Sequence, residues 1–358
     1  MRVRIPPSAR YGDARSRARR RSRNDTPSRS PPARSPGRAS GSAPASRSGL
    51  VASGARKNLF RSRAMNADIT THSRRSFLGA AAAVAAAASG GLRRALAAGA
   101  GKPDSCFGGV QIGTITYSFR SMPGSAEDIL QYVTACGISS IELMDGPAEQ
   151  YAKAHASSDD PMSGFKALRK LFNDAGVNIH LIKYGGIGGG KMTDEQIDRC
   201  FQVAKAVGAR GITRELDAGA AKRLGPLADK HKIWIGFHNH TQIRPDTYDG
   251  DLLSHGEYLG INLDVGHYVA GTGESPMPLI EKHRKRIVSL HLKDRKKNNG
   301  PNLPFGEGDT PLKDVLQFMK AHQVSFPGDI ELEYKIPADS DAVKEVAKCV
   351  RFCREALA

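Results

Sequence analysis

The feature that most constrains this chain is an alternation, from residue 110 to the end, of short apolar strands with amphipathic helical stretches. Strands are expected at 110–117, 138–144, 177–183, 209–215, 233–240, 261–264, 287–293 and 330–334. Helices are expected at 126–136, 164–175, 193–207, 218–231, 277–285, 312–322 and 342–357. Thr193-Asp194-Glu195-Gln196 has the order of a capping box, and Gly137 and Gly176 close two of the helices. Eight strand–helix units in about 250 residues match the size of a (β/α)8, or TIM, barrel. A doubly wound open sheet is the alternative, because alternation alone does not establish closure. Parity favours the barrel. Ile115, Ile141, Ile212, Phe237, Leu263, Leu290 and Leu332 fall on one face, toward the helices. Thr116, Glu142, Thr213, His238, Asp264, His291 and Glu333 fall on the other, facing inward. An open sheet covered on both sides would be apolar on both. We therefore expect a single-domain α/β barrel over 99–358 with acids and imidazoles at the strand ends, where barrel active sites lie.

Charge divides the chain. Residues 1–64 hold 17 Lys and Arg against 2 Asp and Glu, are crowded with Arg, Ser, Pro, Ala and Gly, and show almost no apolar periodicity. That composition cannot bury a core, so the stretch reads as a disordered extension or as untranslated sequence upstream of a start at Met65. His72-Ser73-Arg74-Arg75-Ser76-Phe77-Leu78-Gly79 then leads into the apolar run 80–88 and into Ala95-Leu96-Ala97. Paired arginines, a short apolar run and a small-x-small site make 65–98 an export signal rather than a membrane span. Its Ser-Arg-Arg-x-Phe-Leu order is similar to twin-arginine signals, which implies the Tat export machinery as a partner and a periplasmic or exported location. Residues 99–358 carry 32 Lys and Arg against 33 Asp and Glu, so the basic excess belongs to the leader. The barrel itself has no electrostatic footprint for nucleic acid. The five cysteines (106, 136, 200, 349 and 353) have no metal-knuckle spacing, and Cys349 and Cys353, one turn apart, read as a buried helix face rather than a disulfide.

Chemistry concentrates at the strand ends. His238 and His240 are two residues apart at the end of the fifth strand and so share a face. Asp264 ends the sixth, Ser289, His291 and Lys293 share a face of the seventh, and Glu331 and Glu333 share one of the eighth. Any one of these is more often a hydrogen-bonded structural group than a ligand. Four adjacent strands each offering a ligand type point instead to a divalent metal of the Zn, Mn, Co or Fe kind, with positions left for substrate oxygens. Glu142 and Glu215 end the second and fourth strands, as substrate contacts, outer acids, or ion-pair partners of Lys183 or Lys293. The glycine-rich run from Gly185 to Met192 nearly satisfies a phosphate loop but has Met192 where Ser or Thr would hold Mg²⁺. Phe305-Gly306-Glu307-Gly308-Asp309 reads as a tight loop over the mouth, placed to contact substrate through its backbone.

Leu263-Asp264-Val265-Gly266-His267, His291-Leu292-Lys293-Asp294, Gly306-Glu307-Gly308-Asp309 and Glu331-Leu332-Glu333 resemble the sugar phosphate isomerase/epimerase family of xylose isomerase-like barrels. The resemblance spans about 110–357. It implies one divalent metal held by Glu, Asp, His and Glu from the last four strands. By position these are Asp264, His291 and Glu333, with His238 standing where the first Glu would be. Either His238 is the fourth ligand or Glu215 reaches in from the neighbouring strand. His240 falls where dehydratase relatives place a catalytic His. The implied activity is isomerisation or epimerisation of a sugar or keto-sugar through a metal-stabilised enediolate, with elimination by a lyase as the alternative outcome. His240 or Glu333 would be the base, Lys293 and His267 would stabilise oxygens, and Glu142, Asn239, His267 and Arg295 would contact substrate. A hydrolase resembling abasic-site endonucleases of the same superfamily is disfavoured by the barrel's charge. An exported sugar-binding protein without activity, and assembly into a homo-oligomer, stay open.

Overall fold

The computed structural model describes residues 101–358, so the expected extension at 1–64 and export signal at 65–98 lie outside the described residues. Eight parallel strands form the barrel wall: β1 (Val110–Ile115), β2 (Ser140–Met144), β3 (Asn178–Lys183), β4 (Gly211–Glu215), β5 (Trp234–His238), β6 (Leu259–Asp264), β7 (Ile287–Leu292) and β8 (Gly328–Ile330). They pair in sequence order, and β1 pairs with both β2 and β8, so the sheet closes on itself. Closure rules out the open sheet. Around the wall run α1 (Ala126–Ala135), α2 (Asp145–Ala154), α3 (Ser163–Asp174), α4 (Asp194–Val207), α5 (Ala218–His231), α6 (Val265–Thr272), α7 (Met277–His283), α8 (Leu312–Ala321) and α9 (Ala342–Leu357).

Local chemistry explains the helix starts. Ser125 with Asp128, and Thr193 with Gln196, form reciprocal capping boxes for α1 and α4, and Asp217 and Asp341 cap α5 and α9. Gly208 ends α4 in the left-handed conformation that glycine adopts without strain. Cys349 and Cys353 are buried free thiols on α9, as their spacing suggested.

Two helices were not anticipated. α2 begins Asp-Gly-Pro, a turn signal that hides the helix behind it. α6 starts directly from β6 with no intervening loop, because Asp264 is at once the last strand residue and the N-cap, its Oδ1 accepting from the His267 amide at 2.6 Å. Two strand ends also differ. β8 lies two residues earlier than expected, and Glu331 to Tyr334 run on outside the regular ladder. The fifth strand stops at His238 because Asn239 turns away to hold the Asp264 backbone.

The expected parity holds where the site is built. Thr213 Oγ1 donates to Glu142 across the interior at 2.5 Å, and His238 Nδ1 lies 2.8 Å from Asn262 Oδ1. One layer lower, Asp329, His180 and Ser140 form a buried relay, with 3.0 Å from His180 Nε2 to Asp329 and 2.8 Å from Nδ1 to Ser140. Gly113 on β1 leaves room for it: a side chain there would run into Asp329. Isoleucine, leucine and phenylalanine from the outer strand faces pack against the helices and form the main apolar core.

Candidate active site

The C-terminal ends of β5 to β8 place one cation at the centre of a ring of acids. Lys293, the residue after β7, puts its Nζ 2.9 Å from Asp264 Oδ2, 2.9 Å from Glu331 Oε2 and 2.7 Å from Glu333 Oε2. Its side chain is only 2% exposed. Burial alone would push an ammonium down, but the three carboxylates outweigh that and hold Lys293 firmly protonated. The Asp264 contact is within ion-pair reach but off the hydrogen-bonding direction, so Oδ2 has no directed donor in the structure. Gly266 lets the lysine stem come this close: a Cβ there would sit 2.6 Å from Lys293 O and 2.9 Å from its Cβ.

Beneath the lysine, His291 is fully buried with Nε2 2.9 Å from Glu142 and Nδ1 3.0 Å from Glu331. Burial disfavours the imidazolium, yet the two carboxylates win and raise its pKa to about 10. Burial likewise pushes Glu142 and Glu331 up, and neighbouring cations reverse the direction: His291 and Lys183 for Glu142, Lys293 and His291 for Glu331. Beside this pair His238 is kept neutral, by burial first and then by Lys183 and His291.

The rim of the mouth is a second cluster. His240, with a side chain 53% exposed, sets Nε2 2.8 Å from Glu215 Oε2, whose other oxygen lies 2.9 Å from Lys183 Nζ. The carboxylate raises the His240 pKa above its ordinary 6.5 against an opposing effect of burial. Burial would raise Glu215, but His240 and Lys183 hold it down at about 2.

His267 bridges the two clusters. Its Nδ1 is 2.7 Å from Arg295 Nη1, its Nε2 is 3.0 Å from Lys293 Nζ, and its ring centre is 4.9 Å from that of His240. Burial keeps this imidazole neutral. A neutral imidazole has one lone pair, whereas a guanidinium and an ammonium are both obligatory donors. One of the two contacts is therefore donor against donor. Arg295, held by the Gly300 carbonyl, favours the lone pair at Nδ1, which leaves Nε2–H beside Lys293 Nζ with the Asp264 and Glu333 carboxylates 3.9 Å away.

Several residues singled out from sequence have other work. Asn239, expected to touch substrate, is fully buried and spends its amide on the backbone of Asp264 at 3.1 and 2.9 Å. Glu142, expected at the same task, is fully buried under His291 and Thr213. Arg295 orients His267. Glu215 is the ion-pair partner of Lys183, on the His240 side of the mouth. The 305–309 loop, expected to offer its backbone to substrate, turns it elsewhere: the amides of Gly306, Gly308 and Thr310 donate to Asp294 at 2.8, 3.0 and 3.2 Å. Of the expected metal ligands, His238, Asp264 and His291 do converge, and the acid that completes a compact group with them is Glu331. Glu333 binds the lysine instead.

A divalent ion does not fit this donor set as it is assembled. His291 has given both ring nitrogens to carboxylates, and Asp264, Glu331 and Glu333 already share one ammonium. The cations of the mouth are likewise taken: Glu142 pairs with His291, Glu215 with Lys183 and His240, Glu331 with His291 and Lys293, and Asp264 and Glu333 with Lys293.

With the geometry in hand, comparison with known proteins adds three findings. A family described as xylose isomerase-like TIM barrel matches residues 130–355. The chain is 27% identical over 150 residues to inosose dehydratase of Salmonella agona (strain SL483), covering 36% of this chain and 49% of the relative. It thus spans about half the length of the curated relatives it matches. Among solved structures, a xylose isomerase domain protein of Alicyclobacillus acidocaldarius superposes with a TM-score of 0.55 at 14% identity, over 69% of this chain and 99% of that one. A probable 3-DHS dehydratase of Bacillus anthracis, involved in petrobactin synthesis, gives 0.54 at 16% identity, over 66% and 97%. At those identities the likeness is one of fold.

Proposed function

The chain belongs to the xylose isomerase-like TIM barrel family, and from that premise we propose that it isomerises or epimerises a sugar or keto-sugar by moving a proton on the carbon beside a carbonyl. The observation that carries this reading is the ammonium of Lys293 and the neutral ring of His267, 3.0 Å apart at the mouth, set beside an exposed imidazole. A carbonyl oxygen placed against the two donors accepts both, and the bonds strengthen as the oxygen takes up negative charge. His240 in its neutral form takes the proton, with Glu215 orienting the ring and stabilising the imidazolium that results. Returning the proton to the neighbouring carbon, while the hydroxyl proton there passes to the former carbonyl oxygen, gives an isomer; an epimer forms when a proton from solvent reaches the face opposite His240.

Elimination is the second reading. It is favoured by the placement of Glu333, whose carboxylate is held by Lys293 at 2.7 Å, so that His240 is the mouth's free proton carrier. The likeness to inosose dehydratase points the same way. Proton abstraction is common to both outcomes. Incubating the protein with keto-sugars in D₂O separates them: isomerisation leaves deuterium in a saturated product, and elimination yields an unsaturated one. Neither product from any keto-sugar would remove both readings.

Export by the twin-arginine route is part of the proposal, carried by Ser73-Arg74-Arg75-Ser76-Phe77-Leu78. Replacing Arg74 and Arg75 together by Lys should retain the protein in the cytoplasm in a fractionation assay of a host with that pathway. Unchanged export would contradict it.

A further inference from the structure

The family resemblance implies a divalent cation, and this chain has put a side chain at the point where its carboxylates converge. Lys293 Nζ meets Asp264, Glu331 and Glu333 at 2.9, 2.9 and 2.7 Å, three carboxylates on one buried ammonium. Its placement is built into the fold from three directions. Gly266 allows the lysine stem to press against the start of α6, Asp264 is fixed as the cap of that helix, and Asn239 clamps the Asp264 backbone. Below, His291 is spent on Glu142 and Glu331 and has no lone pair to offer. An ion entering among the same carboxylates would face the ammonium at contact distance inside a poorly screened interior.

We propose that Lys293 is the resident cation of this site, doing by a covalently attached ammonium what a divalent ion would do, so that the protein needs no metal. The proposal rests on the proton-transfer reading for what the cation serves, namely the oxygen that becomes negative when the neighbouring carbon loses its proton. Its geometry is independent of that reading. It also accounts for the departure at β5, where His238 stands in place of a glutamate: with a monovalent cation at the centre, a further acid would be uncompensated.

The test uses tag-free full-length protein, purified without chelator. Elemental analysis should find no stoichiometric Mn, Zn, Co or Fe, and Tm should not move with EDTA, Mn²⁺ or Zn²⁺. Lys293→Ala should have a lower Tm that rises again, on the order of 5 °C, when Mn²⁺ or Zn²⁺ is added, because the vacated carboxylates then take the ion. One equivalent of metal in the wild-type protein, with a fall in Tm on its removal, would overturn the proposal. The wild-type result decides the matter even if the variant does not fold. Neither arm uses a sugar, so failure of the keto-sugar reading and failure of this one are told apart.

Discussion

Lys293→Ala should destabilise the barrel by about 3–5 kcal/mol, the cost typical of removing one partner from a buried ion pair. The cost is not the loss of a contact. It is the stranding of Asp264 without the charge that compensates it, and of Glu331 with His291 alone, at 0% and 6% exposure. Glu333, more open to solvent, contributes the smaller share. For a domain of this size the fall in Tm is roughly 10 °C. The dependence on pH has a definite sign. In the wild-type protein burial pushes Glu331 up, and Lys293 with His291 outweighs it and sets its pKa well below 4.5. A carboxyl lowered in this way contributes stability that is present above its unfolded value and is lost as pH falls through the folded one. The gap between wild type and variant should therefore narrow below about pH 4.5 in urea unfolding curves. A gap that is constant with pH would mean that the lysine stem, not its charge, stabilises the fold.

His240→Ala should leave the fold intact and lower turnover by roughly 10²- to 10⁴-fold, the contribution typical of a positioned general base. The ring is half exposed and lies on the outer side of His238 and His267, so its removal opens a notch to solvent rather than a buried cavity. Because the working form is neutral imidazole and Glu215 raises its pKa, activity should climb with pH through a midpoint above 6.5. Glu215→Gln removes the raising influence and should shift the whole profile to lower pH. A profile that stays in place would assign the proton transfer to another group.

How much of this was legible in the sequence depends on what each feature obeys. Strand parity follows from the backbone, so the inward placement of Glu142, His238, Asp264 and His291 could be read from a period of two. Register is set by the neighbouring strand. That is why position along the run points to Glu333 as the ligand, whereas the structure, with β8 ending at Ile330, brings Glu331 to His238, Asp264 and His291. Asp264 announced itself as an acid in need of a cation, but a buried carboxylate is compensated equally well by an ion or by an ammonium. Only the path of the Lys293 side chain, permitted by Gly266, separates the two. His240 was visible as a strand-end imidazole. Its pairing with Glu215 and exposure at the rim follow from the early end of β5, which Asn239 brings about. The 305–309 loop differs from its expected role because its glycine amides serve the Asp294 carboxylate, a partner 12 and 14 residues away that composition does not reveal.

In the proposed reaction the barrel's own side chains draw a proton from the carbon beside a carbonyl. The most direct measurement is the disappearance, in D₂O, of the NMR signal of that C–H in a keto-sugar incubated with the protein. We expect exchange or conversion with the wild-type protein and a loss of at least about 100-fold in His240→Ala. Exchange at the same rate in the variant, or none with the wild-type protein for any keto-sugar, would contradict it.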